Sequence, residues 1–363
     1  MATTTSVSTG VPARRFSIRW RPIIKAVPGR LGVTALGFLA LFIFLLPIAY
    51  VLSTAFKLDS QMTTIGAPLY PAVQSTYKYQ GQDYPLYNVT MPDGTIRRLA
   101  VVHPYRETSD VVDPSHPDQG VFNVKGRWRT WQPIYHFSPT LKNFFGAWEQ
   151  VNFLRLFRNS LLLAGISTIG TLISCSLVAY GFSRFKFPGK NVLFIILIAT
   201  IVLPPQATII PLYILFNRLH WTGTWLPLLV PAFFANAYDV FLLRQYFMGI
   251  PKELDEAAML DGASPLRTLI SVIVPNAIPA LTAVTIFHFF FVWNQYFEPL
   301  VYLLGKEKLY PVSVGVGMFV STFLTYPGLA AATAVLAMAL PAVMFFLAQR
   351  QFMQGIVITG VEK

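Results

Sequence analysis

Residues 253–275 read Glu-Leu-Asp-Glu-Ala-Ala-Met-Leu-Asp-Gly-Ala-Ser-Pro-Leu-Arg-Thr-Leu-Ile-Ser-Val-Ile-Val-Pro. Their types and spacing point to recognition rather than bond-making. Pro251 suits the first turn of a helix, and Glu253, Asp255 and Glu256 place negative charge at its positive end. Leu254, Ala257, Ala258 and Leu260 fall at helical spacing and make a short apolar stripe with two small residues in its middle. Asp261-Gly262 ends that helix, because glycine adopts the left-handed C′ conformation without a Cβ clash. Ser264 and Pro265 restart it as N-cap and first helical residue, and the next helix runs through Leu266, Leu269, Ile270 and Ile273 to Pro275. The expected product is a bent, rigid prong whose small-sided tip lets another protein's backbone approach.

The remaining chemistry-bearing side chains are sparse. Asp239 and His288 are the main titratable groups inside apolar stretches, and Arg244 follows Asp239 by five residues. A charge in such surroundings is costly unless paired or hydrated, so an Asp239–Arg244 or inter-subunit pair is expected. No nucleophile–base spacing accompanies them, which argues against a membrane-embedded enzyme and assigns no catalytic residue. The one cysteine, Cys175, sits in an apolar segment and reads as a small packing residue. His103, His116 and His136 are spaced too irregularly for a zinc template, and no metal is expected. Gly189-Lys190 and Gly305-Lys306 lack the glycine five residues earlier that a phosphate loop needs.

The elements that must position these residues are membrane helices. Of 363 residues 54% are hydrophobic and 12% charged, about half the charged fraction of soluble domains. Apolar blocks predict six spans at approximately 31–54, 157–181, 191–216, 225–247, 275–298 and 328–349. Ser53-Thr54-Ala55 mimics a signal-peptidase site, but 31–52 reaches ~33 Å as a helix, which favours an uncleaved first span. The net charge of +12 is a topology signal, not a nucleic-acid footprint. Arg14, Arg15, Arg19, Arg21, Lys25 and Arg30 precede the first block. With that tail inside, fourteen Lys and Arg fall on the inner side, against Arg218, Lys306 and Lys308 in the short outer loops. Both termini and the 250–270 loop are therefore expected in the cytoplasm of a multi-pass inner-membrane protein. The expected organisation is a basic tail over 1–30, a first helix over 31–54 and an outer insert over 55–156. A five-helix core over 157–349 and a tail over 350–363 complete it.

Within the spans, Thr171, Cys175 and Ala179 recur every four residues, as small residues do where membrane helices pack closely. Pro204-Pro205, Pro211 and Pro341 predict kinks in the third and last spans. The insert carries Tyr-rich alternating runs broken by Pro92-Asp93-Gly94, a hairpin signal, and is expected to be β-rich, turning helical near Leu141 to Glu149. Asn88-Val89-Thr90 fits a glycosylation sequon.

Glu256-Ala257-Ala258 with Gly262, then Val272-Ile273-Val274-Pro275, resembles the EAA signature of ABC importer permeases. The fuller Glu-Ala-Ala-Met-Leu-Asp-Gly-Ala is similar to the version in sugar permeases of the maltose-permease G-subunit type. Val272 and Val274 stand where that pattern prefers Ile and Leu. Leu203-Pro204-Pro205-Gln206, Phe241-Leu242-Leu243-Arg244-Gln245 and Trp293-Asn294-Gln295 extend the likeness over roughly 150–363 and the first span. The resemblance implies an all-α polytopic fold of the type I importer class. It implies a second, homologous permease subunit, two nucleotide-binding ATPase subunits that use ATP and magnesium, and an extracytoplasmic binding protein. By the same resemblance, Glu253, Glu256, Ala257, Ala258, Asp261, Gly262 and Pro275 form the loop that couples to the ATPase, and this chain binds no cofactor. Asn236, Asp239, His288, Asn294 and Gln295 are candidates to hydrogen-bond the hydroxyls of a carbohydrate in the substrate pathway, with Phe290 or Trp293 stacking on its ring. The rival expectation is a secondary transporter or channel with no ATPase.

Overall fold

The computed structural model describes residues 21–357 apart from 65, 92, 151 and 323–325. Arg14, Arg15 and Arg19 of the basic tail, and 358–363 of the terminal stretch, lie outside the described residues. The chain divides into two units, 1–50 and 51–363. The first holds most of helix α1 (Arg21–Ala55), which begins upstream of the expected position 31. Its 24 residues from Gly32 to Ala55 carry no charge and are long enough to cross a bilayer.

In the second unit α2 (Asp59–Met62) leads into the β-rich insert. Its strands are β1 (Ala72–Gln74), β2 (Thr76–Tyr79), β3 (Gln82–Thr90), β4 (Ile96–Pro104), β5 (Thr108–Val112), β6 (Phe122–Lys125), β7 (Gln132–Pro133) and β8 (Tyr135–Phe137). β2 to β6 follow one another as an antiparallel meander, β7 pairs with β3, and β1 pairs with β8. The Asp93-Gly94 turn makes the β3–β4 hairpin: Gly94 has φ +80°, and the Thr95 N–H donates to Asp93 Oδ1 at 2.9 Å. Alternation then turns Tyr87, Val89, Leu99, Val101, Val111 and Val124 to one buried face. Trp128 and Trp131 close that face edge-on to Tyr87, with ring centroids 6.3 and 6.4 Å away.

Helix α3 (Lys142–Gln150) follows, where helical character was expected. Buried Asn143 donates from its amide to the Ala55 and Lys57 carbonyls at 2.9 and 2.7 Å. The first is a last-turn acceptor of α1 that no helical N–H reaches, and the second lies two residues beyond the helix end. Asn143→Ala strands them and should destabilise the protein by about 1–3 kcal/mol, read as a lower thermal midpoint in detergent.

The helical part continues with α4 (Phe153–Arg184), α5 (Lys190–Ala199), α6 (Pro205–Arg218), α7 (Leu226–Leu229), α8 (Ala237–Gly249), α9 (Glu253–Leu260) and α10 (Pro265–Thr268). After it come α11 (Val274–Asn276), α12 (Ile278–Asn294), α13 (Phe297–Tyr302), α14 (Val312–Thr322) and α15 (Pro327–Val357). α4 shows the solvent this fold is built for. Between Phe153, Leu156 and Leu163 at one end and Tyr180 at the other, its buried face is polar or small (Ser167, Thr171, Ser174, Cys175, Ala179), while Leu161, Leu162, Ile166, Ile169, Ile173 and Leu177 point outward. Aqueous surroundings would reverse that pattern; hydrocarbon favours it.

Among the described residues four segments are long and apolar enough to cross a membrane, counting 226–249 as one despite its break at Ala235. Two bent pairs pass the same test jointly. One breaks at Leu203-Pro204, where proline removes a donor, as its sequence predicts. The other bends by 83° between 265–276 and α12. The last helix is continuous through Pro341. α14 lies where only a connection was expected; Gly315 and Gly317 let it press against Leu156 and Tyr296.

Candidate functional site

The prong exists, and its geometry follows from its caps. α9 starts after Lys252, whose carbonyl accepts from the Asp255 and Glu256 N–H groups at 2.9 and 3.0 Å. Pro251 lies just outside it, between the C-cap of α8 at Ile250 and Lys252, rather than in its first turn. At the other end Gly262 has φ +77° and donates to the Met259 carbonyl, while the Ala263 N–H donates to Ala258 O at 2.9 Å. That pair of bonds is a Schellman cap, and it needs a left-handed residue at Gly262. Ser264 then caps α10, its hydroxyl accepting from the Arg267 N–H, with Pro265 in the first turn.

Glu253, Glu256, Ala257, Asp261 and Gly262 are exposed, and Ala258 is half-buried. Leu260 is 90% exposed, and Leu254, Met259 and Leu266 are exposed beside it. An apolar patch on a segment flanked by charges, outside any apolar helix, marks an interaction surface. Asp255 is different: it is buried, and its Oδ2 lies 2.5 Å from Arg184 Nε at the end of α4. Burial pushes its carboxyl pKa up, Arg184 pulls it down and Glu256 adds a smaller upward push. The sequence reading treated Asp255 only as a helix-end charge and missed this partner, which lies 71 positions earlier in the chain and leaves no local signal.

The helix expected to run from Ser264 to Pro275 is broken into short pieces before the membrane segment begins. A π-helical turn spans Leu269–Ile273, α11 carries Pro275, and the chain bends at Ala277 before α12 begins. Pro275 itself is exposed.

The second cluster lies between α4, α8 and α12. Ala235 has φ +60°, which breaks the helical run before α8 and turns Asn236 into its N-cap. Asn236 Oδ1 accepts from the Asp239 N–H at 2.9 Å, and its amide donates to Asp239 Oδ2 at 2.6 Å. His288 Nδ1 lies 3.2 Å from the same carboxylate oxygen. Its Nε2 is 3.0 Å from the Ser167 hydroxyl and 3.1 Å from that of Thr171. An imidazole protonated on Nδ1 satisfies the set: Nδ1 donates to Asp239 and Nε2 accepts from a hydroxyl. Asn236, Asp239 and His288 line a cavity of about 750 Å³ together with Thr200, Tyr238 and Phe291.

Arg244 does not pair with Asp239. Five helical residues place the two about 140° apart around α8. Arg244 instead donates from Nε to the Phe182 carbonyl and stacks 4.0 Å over the Phe194 ring.

The other pathway candidates separate from this cluster. Trp293 is 3% exposed, stacked on Phe289 and met edge-on by Phe157, its indole N–H donates to the Ala337 carbonyl, and it lines the same cavity as Asn294. Phe290 is half-buried against the same core. Gln295 is held internally, donating to Glu298 and accepting from Ser313 through its carbonyl. Asn294 is exposed and lines a second cavity of about 800 Å³ with Tyr296, Ser313 and Met338. In the insert, Tyr87 belongs to the sheet's buried core, and Trp128 and Trp131 pack half-buried against it. Among the described residues no three of His, Cys, Asp and Glu stand together to hold a metal ion.

An outward-apolar helical core joined to an exposed, glycine-capped prong defines a membrane transport component. The chain belongs to the family described as binding-protein-dependent transport system inner membrane component, which matches residues 169–357. It is the permease component of a binding-protein-dependent ABC importer, a transport subunit and not an enzyme. A probable ABC transporter permease protein of Pyrococcus horikoshii is 33% identical over 64% of this chain and 85% of its own length. An alpha-glucoside transport system permease protein of Rhizobium meliloti is 30% identical over 61% of this chain and 60% of its own. The crystal structure of a bacterial ABC transporter involved in import of the acidic polysaccharide alginate shares the fold. Its TM-score is 0.60 at 19% identity, over 94% of this chain and 99% of that one. The type I importer permease fold and the β-rich insert expected from the sequence are both present.

Proposed function

We propose that this chain converts closure of a separate ATPase pair into alternating access of a carbohydrate pathway. In this reading it crosses the inner membrane six times, each bent pair being one crossing, with both termini and the prong in the cytoplasm. The Lys/Arg asymmetry of its loops supports that orientation. A second, homologous permease completes the pore, two nucleotide-binding subunits hydrolyse ATP with magnesium, and an extracytoplasmic binding protein delivers substrate. Carbohydrate is favoured by the name of the alpha-glucoside transport relative and by the polar set Asn236, Asp239 and His288 on a cavity wall.

The observation that carries the reading is the prong: a Schellman-capped turn at Gly262 presenting Leu260 at 90% exposure. Such a lever suits a rigid-body transition driven from outside the bundle. The test is uptake into vesicles containing the chain with its partner permease and ATPase. ATP-dependent, binding-protein-dependent accumulation is expected; accumulation on an ion gradient with the ATPase absent would establish the secondary-transporter alternative.

The insert gives a further expected result. β1 and β8 pair antiparallel, with Ala72 opposite Phe137, so 72–137 can be replaced by a short turn without stretching its neighbours. The shortened chain should still insert, and binding-protein affinity for the assembled transporter should fall if the insert is a docking surface. Unchanged affinity would leave it a brace on the partner permease.

A further inference from the structure

The bend at Ala277 raises a mechanical question: α9 and α10 reach α12 only through a π-helical turn and an 83° elbow. A lever with a joint at that point transmits poorly along the chain. A different route is built from Arg184, the last residue of α4. Its Nη2 donates to the Ile250 carbonyl at 2.9 Å, at the end of α8, and its Nε meets Asp255 Oδ2 of α9. The two side chains are 6% and 8% exposed. Arg184 Nε and Nη1 and Asp255 Oδ1 make no hydrogen bond among the described residues, so the pair is held by charge at contact distance, and parting it would leave two poorly satisfied buried charges. The same junction is cemented apolarly, with Ala179, Tyr180, Phe247, Ile250, Leu269 and Ile273 in one buried cluster.

We propose that Arg184 is a positioning residue that clamps the prong to the inner end of α4, so that prong motion is delivered to α4 through the Arg184–Asp255 pair as well as through the jointed connection to α12. This rests on the ATPase-coupled reading above. The consequence is that α9 and α4 move as one body. Along α4 the motion reaches Ser167 and Thr171, which hold His288 on α12. One ion pair thus links the docking tip to the polar cluster.

The test uses the assembled transporter with Cys175 replaced by Ala. Arg184→Cys/Asp255→Cys removes the clamp, and uptake should fall at least about tenfold. Joining the two thiols through a short bis-thiosulfonate spacer should restore uptake to near that of the Cys175→Ala parent. A merely stabilising pair would not predict rescue by a covalent tie that must stay closed through every cycle. Full uptake without the spacer, or continued inactivity with it while ATPase subunits still copurify, would overturn the clamp.

A second measurement keeps both native side chains. Spin labels at exposed Lys186 and Lys252 should hold one distance between nucleotide-free and ATP-trapped states; a shifted distance distribution would also overturn the proposal. Absence of ATP-driven uptake in the unaltered transporter would instead sink the functional reading on which it rests.

Discussion

Glu256→Lys and Gly262→Leu should each leave the chain inserted in normal amounts and cut ATP-driven uptake by about tenfold or more. The reasoning is one of scale. Glu256 is exposed in the first turn of α9, where reversing its charge costs only about 0.3–1 kcal/mol of local stability. Gly262 sits at φ +77°, and a leucine there costs roughly 1–2 kcal/mol, enough to reshape the cap but not to unfold a bundle. A large functional loss from such small local effects places them on an interface. Membrane content by immunoblot and uptake in the same vesicles separate the two quantities. Normal uptake by either variant would count heavily against the lever.

Asp239 gives the second large effect, and its sign depends on what is removed with it. Asp239→Leu leaves His288 Nδ1 and the Asn236 amide buried without their acceptor. Leaving a buried neutral donor unsatisfied costs about 1–3 kcal/mol, whereas replacing both partners by apolar groups is often close to neutral. Asp239→Leu/His288→Leu should therefore melt at a higher temperature than Asp239→Leu alone. Transport should not recover in parallel if these groups face substrate, because the double variant has lost the hydrogen-bonding wall of the cavity. Recovery of both stability and uptake would make the cluster structural only.

Local chemistry was the legible part of this chain. The left-handed glycine at 262, the Ser264-Pro265 restart, the Asp93-Gly94 hairpin and the break at Pro204 are each dictated within a few residues, and each is present. Non-local pairings were not legible. Arg244 was matched to Asp239 by proximity in sequence, yet helical geometry turns them apart, and the true partners Phe182, Phe194 and His288 lie on other helices. Trp293 illustrates a second limit: nothing local in the sequence shows that Phe289 and Phe157 pack against its ring and leave it 3% exposed at a cavity wall. The elbow at Ala277 was missed although Pro279, in the first turn of α12, has no N–H to give the Pro275 carbonyl and so marks a break there.

The most direct test places a photo-crosslinking residue at Leu260 in a transporter assembled with its partner permease and ATPase. If the glycine-capped helix is where the motor grips, irradiation should join this chain to the nucleotide-binding subunit both before ATP binds and in the ATP-trapped state. An active transporter in which that position never captures the ATPase would show that force enters elsewhere.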